Sequence, residues 1–188
     1  VPFPKTPYAK TKYITEQLIN DYKVYGLKST ILRLFNVAGA QGVNDLDIGK
    51  NVITVLLNLI KNDSLFTLMG NNYPTPDGTC IKDFVHIDDV VSAIQKSTKA
   101  ILEQDTKSEI YNIGTGVGVS LGELVKRSID ITGLNLKVRI GDALEDEASC
   151  LIANIAKAKN QLGWYPQKNI NEIIKSCWKW ILQNRGGK

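Results

Sequence analysis

The sequence holds a single histidine, His86, a single methionine, Met69, and only three cysteines, Cys80, Cys150 and Cys177, in 188 residues. Cysteines this far apart suit neither a disulfide framework nor a zinc site, so they read as reduced thiols of a cytoplasmic protein. None of the usual metal-ligand spacings occurs, and no metal is expected. The longest apolar stretch, around Val52 to Ile60, is interrupted by Thr54 and Asn58 and is too short for a bilayer span. No signal peptide, internal repeat or low-complexity tract is visible. The net charge of +4 is mild and the lysines are dispersed. Short patches such as Lys157-Ala-Lys159 read as solvated helix faces rather than a nucleic-acid surface. The dinucleotide fingerprint G-x-G-x-x-G is missing as well. Gly114-Thr-Gly-Val-Gly118 has the wrong spacing and no acid at the ribose-binding distance, so it reads as a tight turn feeding a helix cap at Ser120. The first residue is Val1 rather than Met, and the chain reads as the back part of a longer protein.

What is present is ordinary for a globular chain: 43% hydrophobic and 22% charged residues, enough for one domain with a core or a domain plus a fragment. Residues 7–25 read as a helix closed by Gly26, with Ile14, Leu18, Tyr22 and Tyr25 at helical spacing. Ser29 to Val37 reads as a buried strand, followed by a Gly- and Asp-rich loop from Ala38 to Gly49. A helix over about 50–62 and a strand from Leu65 to Met69 come next. Gly70 to Thr79 is dense in turn residues and reads as an irregular surface loop, a type that often carries function. Ile81 to Val85 is a strand, and Asp88 is expected to cap a helix running to about Glu103. Glu109 to Ile113 and Leu136 to Ile140 read as strands, and Ile155 to Leu162 as a short helix. Ser120-x-x-Glu123 and Asn169-x-x-Glu172 are capping boxes for helices over about 121–132 and to about Asn184. Alternating strands and helices predict an α/β fold.

The chemistry is concentrated in Tyr8-Ala-Lys-Thr-Lys12. A four-residue spacing stacks Tyr8 and Lys12 on one helix face, with Thr6 as N-cap and Pro7 in the first turn. An ammonium beside a phenol favours the phenolate, which makes the pair a general acid/base for an alcohol proton. Taking hydride from the same carbinol carbon requires a nicotinamide. The plain alternative is a solvated helix face.

Four segments resemble the extended short-chain dehydrogenase/reductase family, most closely its UDP-glucose 4-epimerase branch: Pro7-Tyr-Ala-Lys-Thr-Lys12, Leu32-Arg-Leu-Phe-Asn-Val-Ala-Gly-Ala40, Gly70-Asn-Asn-Tyr-Pro-Thr-Pro-Asp-Gly-Thr79 and Asp83-Phe-Val-His-Ile-Asp-Asp89. Ile110-Tyr-Asn-Ile-Gly-Thr-Gly116 and Lys157-Ala-Lys-Asn-Gln-Leu-Gly-Trp164 extend the likeness along nearly the whole chain. The resemblance implies the C-terminal part of a Rossmann-type parallel sheet plus a small α/β substrate domain. Residues 1–40 would be the remnant of the NAD-binding domain. Residues 41–188 would be mainly the nucleotide-sugar domain, with some segments returning to the sheet. It also implies NAD as cofactor, a UDP-hexose substrate in galactose metabolism, and a homodimer through the helix at 7–25.

By the same resemblance Tyr8 is the catalytic base, and Lys12 lowers its pKa and holds the nicotinamide ribose. Phe35 lines the nicotinamide or hexose pocket, or is a core residue. Asn36 is a phosphate contact or a strand-end cap, and Asn51 is a substrate-binding Asn in a changed setting. Thr67 and Met69 fall at the uracil pocket or in a core strand. Lys82 replaces a diphosphate-binding Arg, keeping the charge without the bidentate geometry. His86 is expected to be structural. Where the family has R-R-x-G-D, this chain has Ala143-Leu-Glu-Asp-Glu147. The arginine is lost, while Asp146 and Glu147 remain as acceptors for a ribose hydroxyl. The Gly-rich loop and the Ser/Thr partner of the tyrosine belong to a missing front half, so these residues alone are expected not to turn over. Other readings are a different nucleotide-sugar epimerase or dehydratase of the same family, or a non-catalytic nucleotide-sugar-binding module.

Overall fold

Helix α1 (Pro7–Asp21) begins as its sequence dictates, with Thr6 Oγ1 accepting the Ala9 N–H at 3.1 Å and proline in the first turn. In this computed structural model, which describes residues 2–40, 51–103, 109–145 and 147–183, the expected helix over 7–25 is not continuous. It is α-helical to Asp21, tightens to a 3₁₀ turn over Tyr22–Tyr25, and ends at Gly26, whose φ of 84° only glycine adopts freely. The following strand also divides. β1 (Thr30–Leu34) pairs in parallel with β5 (Glu109–Ile113), whereas β2 (Asn36–Ala38) pairs in parallel with β4 (Ile81–His86). Phe35 is the transfer point, its N–H still donating to the Ile113 carbonyl at 2.9 Å.

The remaining elements are α2 (Val52–Lys61), β3 (Leu65–Met69), α3 (Ile87–Glu103), β6 (Gly118–Ser120), α4 (Leu121–Thr132), β7 (Lys137–Gly141), β8 (Cys150–Leu151), α5 (Ala156–Leu162) and α6 (Ile170–Gln183). β3 and β7 form a parallel pair, and the first residues of β4 lie between antiparallel β6 and parallel β8. The class is α/β, as expected. Residues 41–50, most of the expected loop at 38–49, lie outside the described residues.

Two apolar clusters hold the layers together. One packs Ile53, Leu56, Leu57 and Ile60 of α2 against Phe66 and Leu68 of β3, Leu124 of α4, and Ile173, Ile174, Cys177 and Ile181 of α6. The other gathers Val85, Val90, Ala93, Tyr111, Ile113 and the fully buried Trp164. Trp164 keeps its indole N–H satisfied by donating to the Asp89 carbonyl (3.0 Å) and Ser92 Oγ (2.9 Å). Among the described residues, no helix is long and apolar enough to cross a membrane.

Local capping corrects two expectations. Helix α3 starts directly after β4, so Asp88 lies in its first turn and is not its cap; His86 Nδ1 accepts the Asp88 N–H at 3.1 Å instead. Ser120 caps α4 through the Glu123 N–H (3.0 Å), but the Glu123 carboxylate turns to Arg127 (2.6 Å) rather than closing the box. Asn169 and Glu172 do form the reciprocal pair, at 3.1 and 2.9 Å.

Candidate functional site

Tyr8 and Lys12 stand on one face of α1, with the Lys12 ammonium 5.3 Å from the centroid of the Tyr8 ring. Both line a groove of about 680 Å³ whose other walls are Pro2, Phe3 and Pro4, residues 31–34 of β1, and Leu151. Tyr8 is exposed there. Helix α1 has no buried residue of its own. A bidentate ion pair ties it down: Arg33 on β1 donates through Nε to Glu16 Oε1 (2.8 Å) and through Nη2 to Oε2 (2.6 Å). Those bonds hold the Arg33 guanidinium above its ordinary pKa against the opposing effect of burial. Neither Arg33 nor Glu16 stood out in the sequence, because nothing local links residues 17 positions apart.

The other site residues expected from the sequence fall into smaller groups. Phe35 is half-buried against the Trp164 cluster. Asn36 is exposed and donates through Nδ2 to the Asp83 carbonyl at 2.9 Å, a bond between neighbouring strands. Asn51 caps α2, its Oδ1 accepting the Thr54 N–H at 3.0 Å. Thr67 and Met69 share the face of β3 that turns away from the buried Phe66 and Leu68. Thr67 Oγ1 accepts from Arg139 Nη2 at 3.1 Å, and Met69 approaches Gly141, where an added Cβ would sit 3.2 Å from Sδ.

Lys82 and Glu147, both expected to meet substrate, form an ion pair with each other. Lys82 lies opposite Leu151 in the β4–β8 register, and Leu151 also lines the Tyr8 groove. Asp146 lies outside the described residues.

His86 is held inside the protein. Its Nδ1 accepts the Asp88 N–H, so its Nε2 is the donor toward Ser176 Oγ at 3.1 Å. Its ring packs so close to Gly39 (φ 94°) that an added Cβ would come within 2.4 Å. Ring and backbone together fix the end of β2.

The glycine turn after β5 binds an anion belonging to the chain itself. Asp83, fully buried, accepts from the Thr115 N–H (2.8 Å) and hydroxyl (2.6 Å), the Gly116 N–H (2.9 Å) and the Ala153 N–H (3.1 Å). A side chain at Gly114 would meet Asp83 Oδ2 at 2.7 Å and Ala153 Cβ at 2.5 Å. Asp83 carries no role in the sequence pattern, although an acid in the middle of the expected strand Ile81 to Val85, followed by Phe84 and Val85, is itself the signal of a partnered carboxylate.

Asp77 plays a similar part in the loop at 70–79. Its carboxylate accepts from the Thr79 N–H (2.9 Å), the Thr79 hydroxyl (2.8 Å) and the Ser120 hydroxyl. Burial alone would push its pKa up, but the hydroxyls of Ser120 and Thr79 and the backbone N–H outweigh it and leave the carboxyl below its ordinary value. The loop is thereby pinned to the start of α4.

The sequence matches a family model described as GDP-mannose 4,6 dehydratase over residues 2–177. A curated UDP-glucose 4-epimerase of Rhizobium leguminosarum bv. trifolii is 35% identical over 183 residues, covering 94% of this chain and 56% of that protein. The crystal structure of UDP-glucose-4-epimerase from Stenotrophomonas maltophila, with bound NAD and formylated UDP-arabinopyranose, superposes with a TM-score of 0.88 at 28% identity, covering 96% of this chain and 56% of that one. The Brucella ovis UDP-glucose 4-epimerase in complex with NAD gives 0.88 at 29% identity, covering 95% and 57%. The chain thus spans just over half the length of the relatives it matches.

Proposed function

Because the chain belongs to the nucleotide-sugar epimerase and dehydratase family described as GDP-mannose 4,6 dehydratase, we propose that its protein interconverts UDP-glucose and UDP-galactose with NAD. The observation that carries this reading is the Tyr8–Lys12 pair, exposed on one helix face and lining a groove against a strand end. The named relatives and the solved structures holding NAD or a UDP-sugar support it.

The residues present fit one end of NAD. The Lys12 ammonium is a donor suited to ribose hydroxyls, whereas the described residues include no Gly-rich loop for the pyrophosphate. When bound, NAD supplies a reversible hydride acceptor for the sugar carbon. Tyr8 takes the proton from the sugar 4-hydroxyl and returns one to the 4-oxygen once the 4-keto sugar has turned over and is reduced on its other face. The Lys12 ammonium, 5.3 Å from the Tyr8 ring centroid, stands beside the phenol that moves this proton. Asn36, Asn51, Thr67, Met69, Lys82 and Asp146 are the substrate contacts in this reading, Glu147 acts on the site through its ion pair with Lys82, and Phe35 backs the nicotinamide.

The domain division follows the same logic. Residues 1–40 belong with the cofactor domain and 41–188 mainly with the substrate domain, β5 returning to pair with β1. These residues alone should not turn over. Ile14 and Leu18 on α1 and Tyr22 in the 3₁₀ turn that follows it are exposed, the apolar face through which two copies would pair. Incubating the protein at its natural length with UDP-galactose and NAD, wild type against Tyr8→Phe, tests the reading. UDP-glucose should form far more slowly once Tyr8 is replaced. A 4-keto-6-deoxy product would point to a dehydratase instead.

A further inference from the structure

Lys82 and Glu147 were expected to touch substrate separately, and the structure has them neutralising each other. The Lys82 side chain is only 12% exposed, and a cation so enclosed requires a counter-charge. It is rooted in β4, opposite Val119 of β6 on one side and Leu151 of β8 on the other. Glu147 is the more exposed partner, at 31%, and stands between β7 and β8 in a turn closed by its N–H to the Leu144 carbonyl at 3.2 Å. If one member of the pair moves, it is the glutamate.

We propose that Glu147 is the resident counter-ion of Lys82, displaced when a phosphate-bearing ligand binds that lysine, and that it sets the affinity of the site for anions. This rests on the nucleotide-sugar reading for the identity of the ligand. The reasoning is electrostatic. A phosphate at the Lys82 ammonium and a carboxylate already on it are like charges within a few ångströms of each other, and both lose by staying. The ligand therefore has to break an existing ion pair before it gains its own. Glu147 then opposes binding, which is the reverse of what an acceptor for a ribose hydroxyl would do, and the two roles predict opposite signs for one substitution.

Calorimetric titration of the protein with uridine diphosphate and with inorganic pyrophosphate separates them, using wild type, Glu147→Gln and Lys82→Met. Releasing the counter-ion should tighten both probes in Glu147→Gln by roughly 2- to 5-fold, the range expected for a partly exposed ion pair. Lys82→Met should weaken both. Glu147→Asp, which keeps the charge but retracts it by one methylene, should lie between wild type and Glu147→Gln and serves if the glutamine variant melts early. Unchanged or weaker uridine diphosphate binding in the Glu147 variants overturns the counter-ion role, while binding by wild type leaves the nucleotide reading intact. Tighter pyrophosphate with no preference for uridine diphosphate in any form keeps the counter-ion role and removes the nucleotide reading. Binding of neither probe to any form overturns both.

Discussion

Replacing Asp83 with asparagine removes a single charge from the interior and should cost the protein a large share of its stability. Each carboxylate oxygen of Asp83 accepts two hydrogen bonds, one from the Thr115 N–H and hydroxyl, the other from the Gly116 and Ala153 N–H groups. Asparagine is almost isosteric, but it keeps one acceptor oxygen and turns an NH₂ toward two N–H donors. Those two donors, the buried Ala153 N–H and the part-buried Gly116 N–H, then have nothing to accept them, at about 1–3 kcal/mol each. The site cannot relax, since Gly114 already packs against Asp83 Oδ2 and Ala153. The total of about 2–6 kcal/mol compares with about 5–15 kcal/mol for a whole domain. Urea unfolding at 25 °C, followed by far-UV circular dichroism and tryptophan fluorescence, reads it directly. With a slope of about 2 kcal/mol per molar, the midpoint should fall by about 1–3 M at unchanged slope. A variant within about 0.5 kcal/mol of wild type, the range of ordinary surface changes, would refute the four-donor cradle.

Two further predictions follow from the ties that hold the site in place. Arg33→Met should loosen α1 by about 1–2 kcal/mol, discounted for partial exposure of the pair, so amide exchange over Pro7–Asp21 should quicken while α4 and α6 keep their protection. For Asp77, the folded carboxyl lies below its ordinary value, so its stabilisation is complete above the unfolded pKa of about 4 and is lost as pH falls through the folded value. The melting-temperature gap between wild type and Asp77→Asn should therefore be widest near neutrality and narrow in acid. A gap independent of pH would count against the Asp77–Ser120–Thr79 network.

Local chemistry was legible where one segment decides its own fate. Leu65–Met69, Glu109–Ile113 and the helix from Leu121 to Thr132 are where their β-branched residues, the Ser120 cap and Gly133 place them. Tyr8 and Lys12 share a face because helical spacing allows nothing else. What pairing decides was not legible. The strand over 29–37 splits at Phe35 because its two halves find different partners, β5 and β4. β6 and β8 are three and two residues long and exist only as neighbours of β4. The Lys82–Glu147 pair spans 65 positions, and the Asp83 cradle gathers donors 32, 33 and 70 positions away. No local pattern encodes such distances.

The central claim is that Tyr8 serves a reaction in which the sugar C4 loses hydrogen and regains the same one. UDP-galactose deuterated at C4, incubated with the protein at its natural length and NAD and followed by NMR, tests it. The account predicts UDP-glucose that retains deuterium at C4, formed at least about 100-fold more slowly by Tyr8→Phe. No interconversion, loss of the label to water, or a Tyr8→Phe rate close to wild type would contradict it.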